Sequence, residues 1–141
     1  MVQMRHSLSG IPVSRAMVTD FRTLAPSDTL AAAIELTLAG TQRDFPVLEG
    51  ADIVGVLQQK DMLAALARGG PDVPVAEVMQ RDFEIVQDSE MVESAFQRLG
   101  VRRATSAPVS SRGRLVGMIT IDNIGELLAI RGALDRTRRT E

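Results

Sequence analysis

The sequence repeats itself after 62 residues, and this duplication limits the possible folds more than any other feature of the chain. The offset is constant, so the two copies align without a gap. The residues that recur in register are Pro12-Val13 with Pro74-Val75, Met17 with Met79, Pro46-Val47 with Pro108-Val109, Val54-Gly55 with Val116-Gly117, and Leu66-Ala67 with Leu128-Ala129. We therefore divide the chain into a flexible arm at 1–9, repeat 1 at 10–70, repeat 2 at 71–132 and a charged tail at 133–141.

Each copy has the same order of predicted elements: a short turn, an extended segment, a helix, two strands and a final helix. Ser27-Asp28 in copy one and Ser89 in copy two are expected to cap the first helix, because short polar side chains satisfy the free amides at a helix start. Gly40 and Gly100 are expected to end that helix.

The two strands of each copy form a predicted hairpin. Copy one reads FPVLE, EGAD and DIVGVLQ, and copy two reads SAPVS, SRGR and RLVGMIT. The turns contain Gly, which tolerates the positive φ that tight hairpins need. The last helices, KDMLAALA and DNIGELLAIR, should end at Gly69-Gly70 and Gly132, and the tail DRTRRTE should be frayed.

A repeat of about 60 residues buries too little apolar surface to fold well alone. We therefore expect the two copies to share a core. The predicted fold is mixed α+β, with helices and strands that alternate along the chain as in α/β proteins. It consists of two pseudo-symmetric β-α-β-β-α repeats packed sheet against sheet.

Composition excludes several classes of function. The net charge of −2 gives no electrostatic basis for nucleic-acid binding, and no apolar run reaches the roughly 18 to 20 residues of a membrane-spanning helix. There is no cysteine, which fits a reducing, cytoplasmic location, and we find no signal peptide. The single histidine, His6, has no neighbours suited to catalysis or metal binding. We predict no enzymatic activity, no metal site and no required cofactor.

The ordered set of motifs, found twice, resembles a tandem pair of CBS domains, also called a Bateman module. Copy one contributes Met17, Phe45-Pro46-Val47 and the strand from Val54 to Leu57 that leads to Asp61. Copy two contributes the equivalents: Met79, Ala107-Pro108-Val109, the strand from Val116 to Ile119, and Asn123. The resemblance covers nearly the whole chain.

This resemblance implies clefts that bind an adenosine-containing ligand, in which a carboxylate accepts bonds from the ribose and a nearby hydroxyl meets a phosphate. In copy one the matching residues are Asp61 and Gln58, where Gln replaces the hydroxyl. In copy two they are Thr120 and Asn123, where Asn replaces the carboxylate. Either pair could form the site. Asp61 could also act only as an acidic residue at a helix start.

The resemblance also points to residues around the base and the phosphates. Those near the base are Phe45 and Pro46 in copy one, Ala107 and Pro108 in copy two, and Phe21 and Phe83 after the early Met. Arg43 and Arg103 could meet phosphates. The alternatives are core packing for the apolar side chains and solvated surface positions for the arginines. Gly55 and Gly117 are interpreted as packing glycines, because a side chain there would crowd a neighbouring strand.

The narrower stretches MVTDFRTLAPSDTL, DFPVLEG and TIDNIGELLAIRGAL resemble the CBS pair of site-2-protease-like (M50-type) membrane zinc peptidases. Two functions follow from these resemblances. One is a regulatory module that senses AMP, ADP, ATP or S-adenosylmethionine and controls a fused or partner protein, such as a membrane peptidase. The other is a structural dimerisation module with degenerate clefts. A disc-like homodimer without direct membrane insertion fits both.

Overall fold

The computed structural model describes the backbone of residues 10–140 and the side chains of residues 10–137. Over this range the protein is mixed α+β, as expected, with five helices, one 3-10 turn and two small sheets. The helices are α1 Val13–Ala16, α2 Leu30–Ala39, α3 Gln59–Gly69, α4 Val92–Arg102 and α5 Ile121–Thr140, and the 3-10 turn is Val75–Glu77. The strands are β1 Phe45–Glu49, β2 Asp52–Leu57, β3 Val86–Gln87, β4 Ser106–Ser111 and β5 Arg114–Thr120. The predicted arm at 1–9, with His6, lies outside the described residues.

Two compact units divide the described residues, and their limits differ from those of the sequence repeats. The first unit is Asp20–Phe83. The second unit combines the chain from Glu84 onward with the segment that ends at Thr19. The opening segment of each repeat therefore packs with the body of the other repeat. We call residues 10–19 and residues 71–83 the first and second exchanged segments.

The first unit is built on the antiparallel hairpin of β1 and β2, in which Phe45 lies opposite Leu57. Gly50 turns the hairpin with a φ of 62°, a conformation that glycine adopts without steric cost. Leu24, in the predicted extended segment, pairs in parallel with Val47. The helices α2 and α3 cover the hairpin with apolar side chains. The buried core consists of Leu24, Leu30, Ala33, Phe45, Val47, Leu57, Met62, Ala65, Val75 and Met79.

The second unit has a three-stranded sheet with β4 in the centre, parallel to β3 and antiparallel to β5. Its hairpin turns through Arg112 and Gly113, whose φ values are 52° and 81°. Two consecutive positive φ angles are typical of a type I′ turn, whose twist matches that of the flanking strands. The buried core consists of Ile11, Val13, Val86, Val92, Ala95, Leu99, Ala107, Val109, Ile119 and Ile124.

Each exchanged segment adds to the edge of a hairpin through paired backbone hydrogen bonds. In the second unit the Val18 N–H donates to the Met118 carbonyl over 2.7 Å, and the Met118 N–H donates to the Val18 carbonyl over 2.9 Å. In the first unit Gln80 and Val56 exchange equivalent bonds of 2.8 and 3.0 Å. Because an unpaired buried backbone group is costly, these bonds fix the register of each exchanged segment.

A methionine in each exchanged segment packs over a strand glycine. A Cβ added to Gly117 would lie 2.7 Å from the Met17 sulfur and 3.0 Å from the Val18 carbonyl oxygen. A Cβ added to Gly55 would lie 2.6 Å from the Met79 sulfur. The interpretation of both glycines as packing residues is confirmed, and the contact explains why the Met and the Gly recur in the same register.

The predicted caps of the first helix of each copy are wrong. The helix α2 begins after Thr29 and α4 after Met91, and neither residue makes a side-chain cap bond. Asp28 instead accepts a bond from the Ala25 N–H over 2.7 Å, so its carboxylate closes the preceding turn. The α2 amides of Leu30 and Ala31 are satisfied by backbone carbonyls of the second exchanged segment. Tertiary hydrogen bonds therefore replace the local caps.

Two predicted helix ends also need correction. The helix α4 runs past Gly100 to Arg102 and ends with Arg103 at a positive φ of 56°. The helix α5 continues through Gly132 to Thr140, so the predicted frayed tail is largely helical. Helix α2 does end before Gly40, and α3 ends at Gly69 with Gly70 as its cap, as predicted. A glycine inside a helix costs only about 1 kcal/mol, which a continuing helix can absorb.

We predict that Gly117→Ala destabilises the protein by about 1–3 kcal/mol, because the new methyl group overlaps Met17 and the Val18 carbonyl. Gly125→Ala is the matched control, since a Cβ there meets nothing within 4 Å. Urea denaturation followed by circular dichroism measures both. Adding Met17→Ala to Gly117→Ala should recover part of the loss. Equal stabilities for the two single variants would contradict the packing role of Gly117.

Candidate functional site

In the first unit, the junction between β2 and α3 brings together two of the predicted site residues. Gln58 follows the strand and precedes the helix, and its side chain makes no cap bond. Asp61 lies in the first turn of α3. Its Oδ2 accepts a bond of 3.0 Å from the Nε2 of Gln80 in the second exchanged segment. The carboxylate is half-buried and lies where a helix favours negative charge.

A second carboxylate contacts the start of the same helix, α3. Asp44, directly before β1, accepts a bond from the Gln59 N–H through its Oδ1 over 3.1 Å. Gln59 is the first residue of α3, so Asp44 occupies one of the amides that a bound anion could use. The start of α3 therefore faces two carboxylates, those of Asp44 and Asp61.

In the second unit, the junction between β5 and α5 is arranged differently. Thr120 ends the strand, and its Oγ1 accepts a bond of 3.0 Å from the Asn123 N–H. Thr120 is thus a side-chain cap of α5, and its hydroxyl proton remains able to donate to another acceptor. The Asn123 Nδ2 donates to the Ala16 carbonyl oxygen over 3.3 Å. Asp122, in the same turn, is exposed.

The junctions differ in the groups that contact the helix start. The residue equivalent to Asp44 is Ser106, which is buried and uncharged, and the residue equivalent to Asp61 is Asn123. A carboxylate therefore bonds to the start of α3, whereas the neutral Thr120 hydroxyl bonds to the start of α5. Each first turn also carries one exposed charged residue, Lys60 in α3 and Asp122 in α5.

The other predicted residues occupy two kinds of position. Phe45 and Pro46 are buried in the first unit, and Ala107 and Pro108 are buried in the second. Phe21 and Phe83 are half-buried residues of the first unit. A role of these residues at the base of a ligand stays a prediction, because core packing alone explains why Phe45 and Ala107 are buried.

The predicted arginines lie at the surface. Arg43 is exposed ahead of β1. Arg103 is exposed and adopts the left-handed conformation that ends α4, where its N–H donates to the Gly100 carbonyl. Its neighbour Arg102 forms an ion pair with Glu84. Any contact of Arg43 or Arg103 with phosphate stays a prediction.

Sequence reasoning missed Asp44, Gln80 and the Ala16 carbonyl as neighbours of the candidate site. Asp44 precedes the Phe-Pro-Val motif by one residue and could have been noticed as a carboxylate beside a strand. Gln80 follows Met79 and belongs to the other repeat, so no local pattern connects it with Asp61. Among the described residues, no group of three His, Cys, Asp or Glu side chains could hold a metal ion. None of the helices in residues 10–140 is long and apolar enough to cross a membrane.

Comparison with known proteins places the fold and these junctions in a family. The family model described as "CBS domain" matches residues 13–68 and again residues 75–129. The chain belongs to the CBS domain family. It contains a tandem CBS pair, as the repeated motifs predicted, and both matched stretches include the strand-to-helix junction described above.

Several known proteins resemble the chain over most of its length. The CBS domain-containing protein YhcV of Bacillus subtilis is 25% identical over 114 residues, which cover 79% of this chain and 81% of that protein. A solved structure of a proposed acetoin utilization protein (AcuB) from Vibrio cholerae is 27% identical with a TM-score of 0.76, covering 93% of this chain and 98% of that one. The structure of CBSX2 in complex with AMP is 25% identical with a TM-score of 0.72, covering 91% and 99%.

We predict that Thr120→Ala lowers the free energy of unfolding by about 1 kcal/mol, because α5 loses its side-chain cap. Gln58→Ala, at the equivalent position of the first CBS repeat, should cost less than about 0.5 kcal/mol, since Gln58 caps nothing. Urea denaturation of the two variants beside the parent measures the difference. A loss for Gln58→Ala as large as for Thr120→Ala would show that the cap bond is not the cause.

Proposed function

We propose that the chain is a regulatory module that binds an adenosine-containing molecule and controls a fused or partner protein. The observation that carries this proposal is the duplicated strand-to-helix junction, where Asp61 and Asn123 each present a polar side chain in the first turn of a helix. The complex of CBSX2 with AMP, a protein of the same fold, supports the choice of ligand class.

The chemistry of the junctions suits the parts of such a ligand. A ribose has two adjacent hydroxyls that can donate to a carboxylate or an amide oxygen, and Asp61 and Asn123 supply these acceptors. A charged acceptor forms the stronger bond, so Asp61 would hold a ribose more firmly than Asn123. The Thr120 hydroxyl can donate to a phosphate oxygen, and the positive end of the α5 helix favours an anion.

We further propose that a phosphate-bearing ligand prefers the junction of the second unit. There the helix start is capped by the neutral Thr120, and the carboxylate of Asp122 in the same turn is exposed to solvent, which screens its charge. At the start of α3, the Asp44 carboxylate already accepts the Gln59 N–H and would repel a phosphate. An uncharged or positively charged adenosyl compound of the S-adenosylmethionine class suits the Asp61 junction better, since it meets no such repulsion.

Regulation requires that the ligand bind two arrangements of the module with different affinities. The controlled protein is proposed to be fused to the chain or to associate with it. We propose a membrane zinc peptidase as one class of partner, because several stretches of the sequence resemble the CBS pair of such peptidases. The module would then lie at the cytosolic face of the membrane, or free in the cytoplasm if it is not fused to the peptidase.

A second candidate function is a structural dimerisation module with degenerate clefts. Neither junction combines a short hydroxyl with a carboxylate, because Gln58 accompanies Asp61 and Asn123 accompanies Thr120. Apolar side chains are also exposed on the last helix of each repeat, namely Leu63 on α3 and Ile130 and Leu134 on α5. A homodimer would bury such side chains and gain stability from removing them from water.

Titration calorimetry and thermal shift with AMP, ADP, ATP and S-adenosylmethionine separate the two functions. A ligand at about 100 times its dissociation constant should add about 2.7 kcal/mol of stability and raise the melting temperature. If none of the four compounds shifts the melting temperature at millimolar concentration while light scattering finds a dimer, the structural function replaces the sensing one.

We predict that Asn123→Ala weakens AMP binding about three- to tenfold, because one ribose acceptor is lost. Asp122→Glu is the matched control, since Asp122 is exposed in the same turn of α5 and this change keeps its charge. Asp61→Ala and its neighbour Lys60→Ala form the second pair, for the first unit. Calorimetry gives the dissociation constants. An Asn123→Ala variant that binds AMP as tightly as the parent would remove Asn123 from the site.

A further inference from the structure

Both candidate ligand residues are held by a segment from the other CBS repeat. In the second unit the Asn123 amide donates to the carbonyl of Ala16, which belongs to the first exchanged segment. In the first unit the Gln80 amide, in the second exchanged segment, donates to Asp61. The same repeat position, 61 and 123, therefore contacts an exchanged segment in each unit.

These contacts determine which atom each side chain offers to a ligand. A carbonyl oxygen accepts only a donor, so the Ala16 carbonyl requires the Nδ2 of Asn123 to face it and turns the Oδ1 away. Gln80 donates to one oxygen of Asp61, the Oδ2. Within residues 10–137, the remaining Oδ1 of Asp61 and of Asn123 makes no hydrogen bond. Each junction thus presents one oriented acceptor oxygen.

Next to these contacts, side-chain packing and backbone hydrogen bonds attach each exchanged segment to the hairpin of its unit. Ala16 is the last residue of α1 and precedes Met17, which packs over Gly117, and Val18, which pairs with Met118. Gln80 pairs with Val56 and follows Met79, which packs over Gly55. The side-chain contacts at positions 61 and 123 therefore belong to the same attachment as the methionine and the backbone pair.

We propose that the exchanged segments are positioning elements of the ligand site: Gln80 orients Asp61, and the Ala16 carbonyl orients Asn123, so that ligand occupation and segment attachment are coupled. The ligand part of this inference rests on the proposed function. Coupling is reciprocal, so a ligand that uses an oriented Oδ1 must tighten the segment that orients it.

Hydrogen exchange of the ligand-free full chain tests the attachment without any ligand. Asn123→Ala should raise the exchange of amides in residues 13–18 about two- to fivefold, because the Ala16 carbonyl loses its donor. The same variant should leave residues 75–80 unchanged, and Asp122→Ala should change neither segment. Equal exchange of residues 13–18 in Asn123→Ala and the parent, or equal effects on both segments, would overturn the positioning role.

Binding of AMP and of S-adenosylmethionine tests the second contact. Gln80 is exposed, so its replacement should leave the urea midpoint unchanged. We expect Gln80→Ala to weaken the ligand that uses Asp61 about two- to threefold, because Asp61 loses its orienting donor, and Gln80→Glu to weaken AMP about tenfold, because a second carboxylate then faces Asp61. In an Asp61→Asn background the difference between these two variants should largely disappear. Unchanged affinities in both Gln80 variants of a protein that binds ligand through Asp61 would overturn the inference.

The two proposals fail in distinguishable ways. If neither compound binds the parent protein, the proposed ligand class is wrong, and the exchange experiment alone decides whether the Ala16 carbonyl holds Asn123. If a ligand binds and Asn123→Ala weakens it, protection of residues 13–18 should rise on binding. Binding at Asn123 with no change in that protection would contradict the coupling and leave the proposed function standing.

Discussion

The structure depends on the packing of a methionine from one CBS repeat over a strand glycine of the other. At Gly117 and at Gly55 the space that a Cβ would need is filled by the sulfur of Met17 and of Met79. Only glycine allows the exchanged segment to come close enough for its backbone to pair with the hairpin. Those backbone pairs in turn place Ala16 and Gln80 beside the first turns of α5 and α3. The folding of each unit and the geometry of each junction therefore rest on the same contact.

The two junctions share this construction and differ in the groups that contact the helix start. In the first unit the helix start faces the carboxylates of Asp44 and Asp61. In the second it is capped by Thr120, and its first turn carries the neutral Asn123 and the exposed Asp122. A carboxylate that bonds directly to a helix start, as Asp44 does, opposes the binding of an anion there because it occupies the positive end of the helix. A duplicated CBS pair can in this way offer two unlike environments with one backbone, which is the basis for proposing different ligand classes at the two junctions.

Much of the fold could be predicted from local pattern. The hairpins, the glycine turn at Gly50, the end of α3 at Gly70 and the packing role of Gly55 all agree with the structure. The predictions that are wrong concern helix ends, where Ser27, Ser89, Gly100 and Gly132 were given the roles that such residues usually have. Those roles are preferences of about 1 kcal/mol, and backbone bonds from the exchanged segments or a continuing helix outweigh them. The site residues Asp61, Gln58, Thr120 and Asn123 do lie at strand-to-helix junctions, while their function remains a proposal.

By itself, the sequence determined the duplication, the order of the elements and the residue types available at each junction, because periodicity and turn chemistry are local properties of the chain. Only the tertiary structure decided that the opening segment of each repeat packs with the body of the other. The repeats carry the same Met, Gly and Pro-Val signals, so nothing local distinguishes pairing within a repeat from pairing between repeats. That choice depends on how the chain closes in three dimensions. It made Gln80 and the Ala16 carbonyl the partners of Asp61 and Asn123, across 19 and 107 residues of sequence.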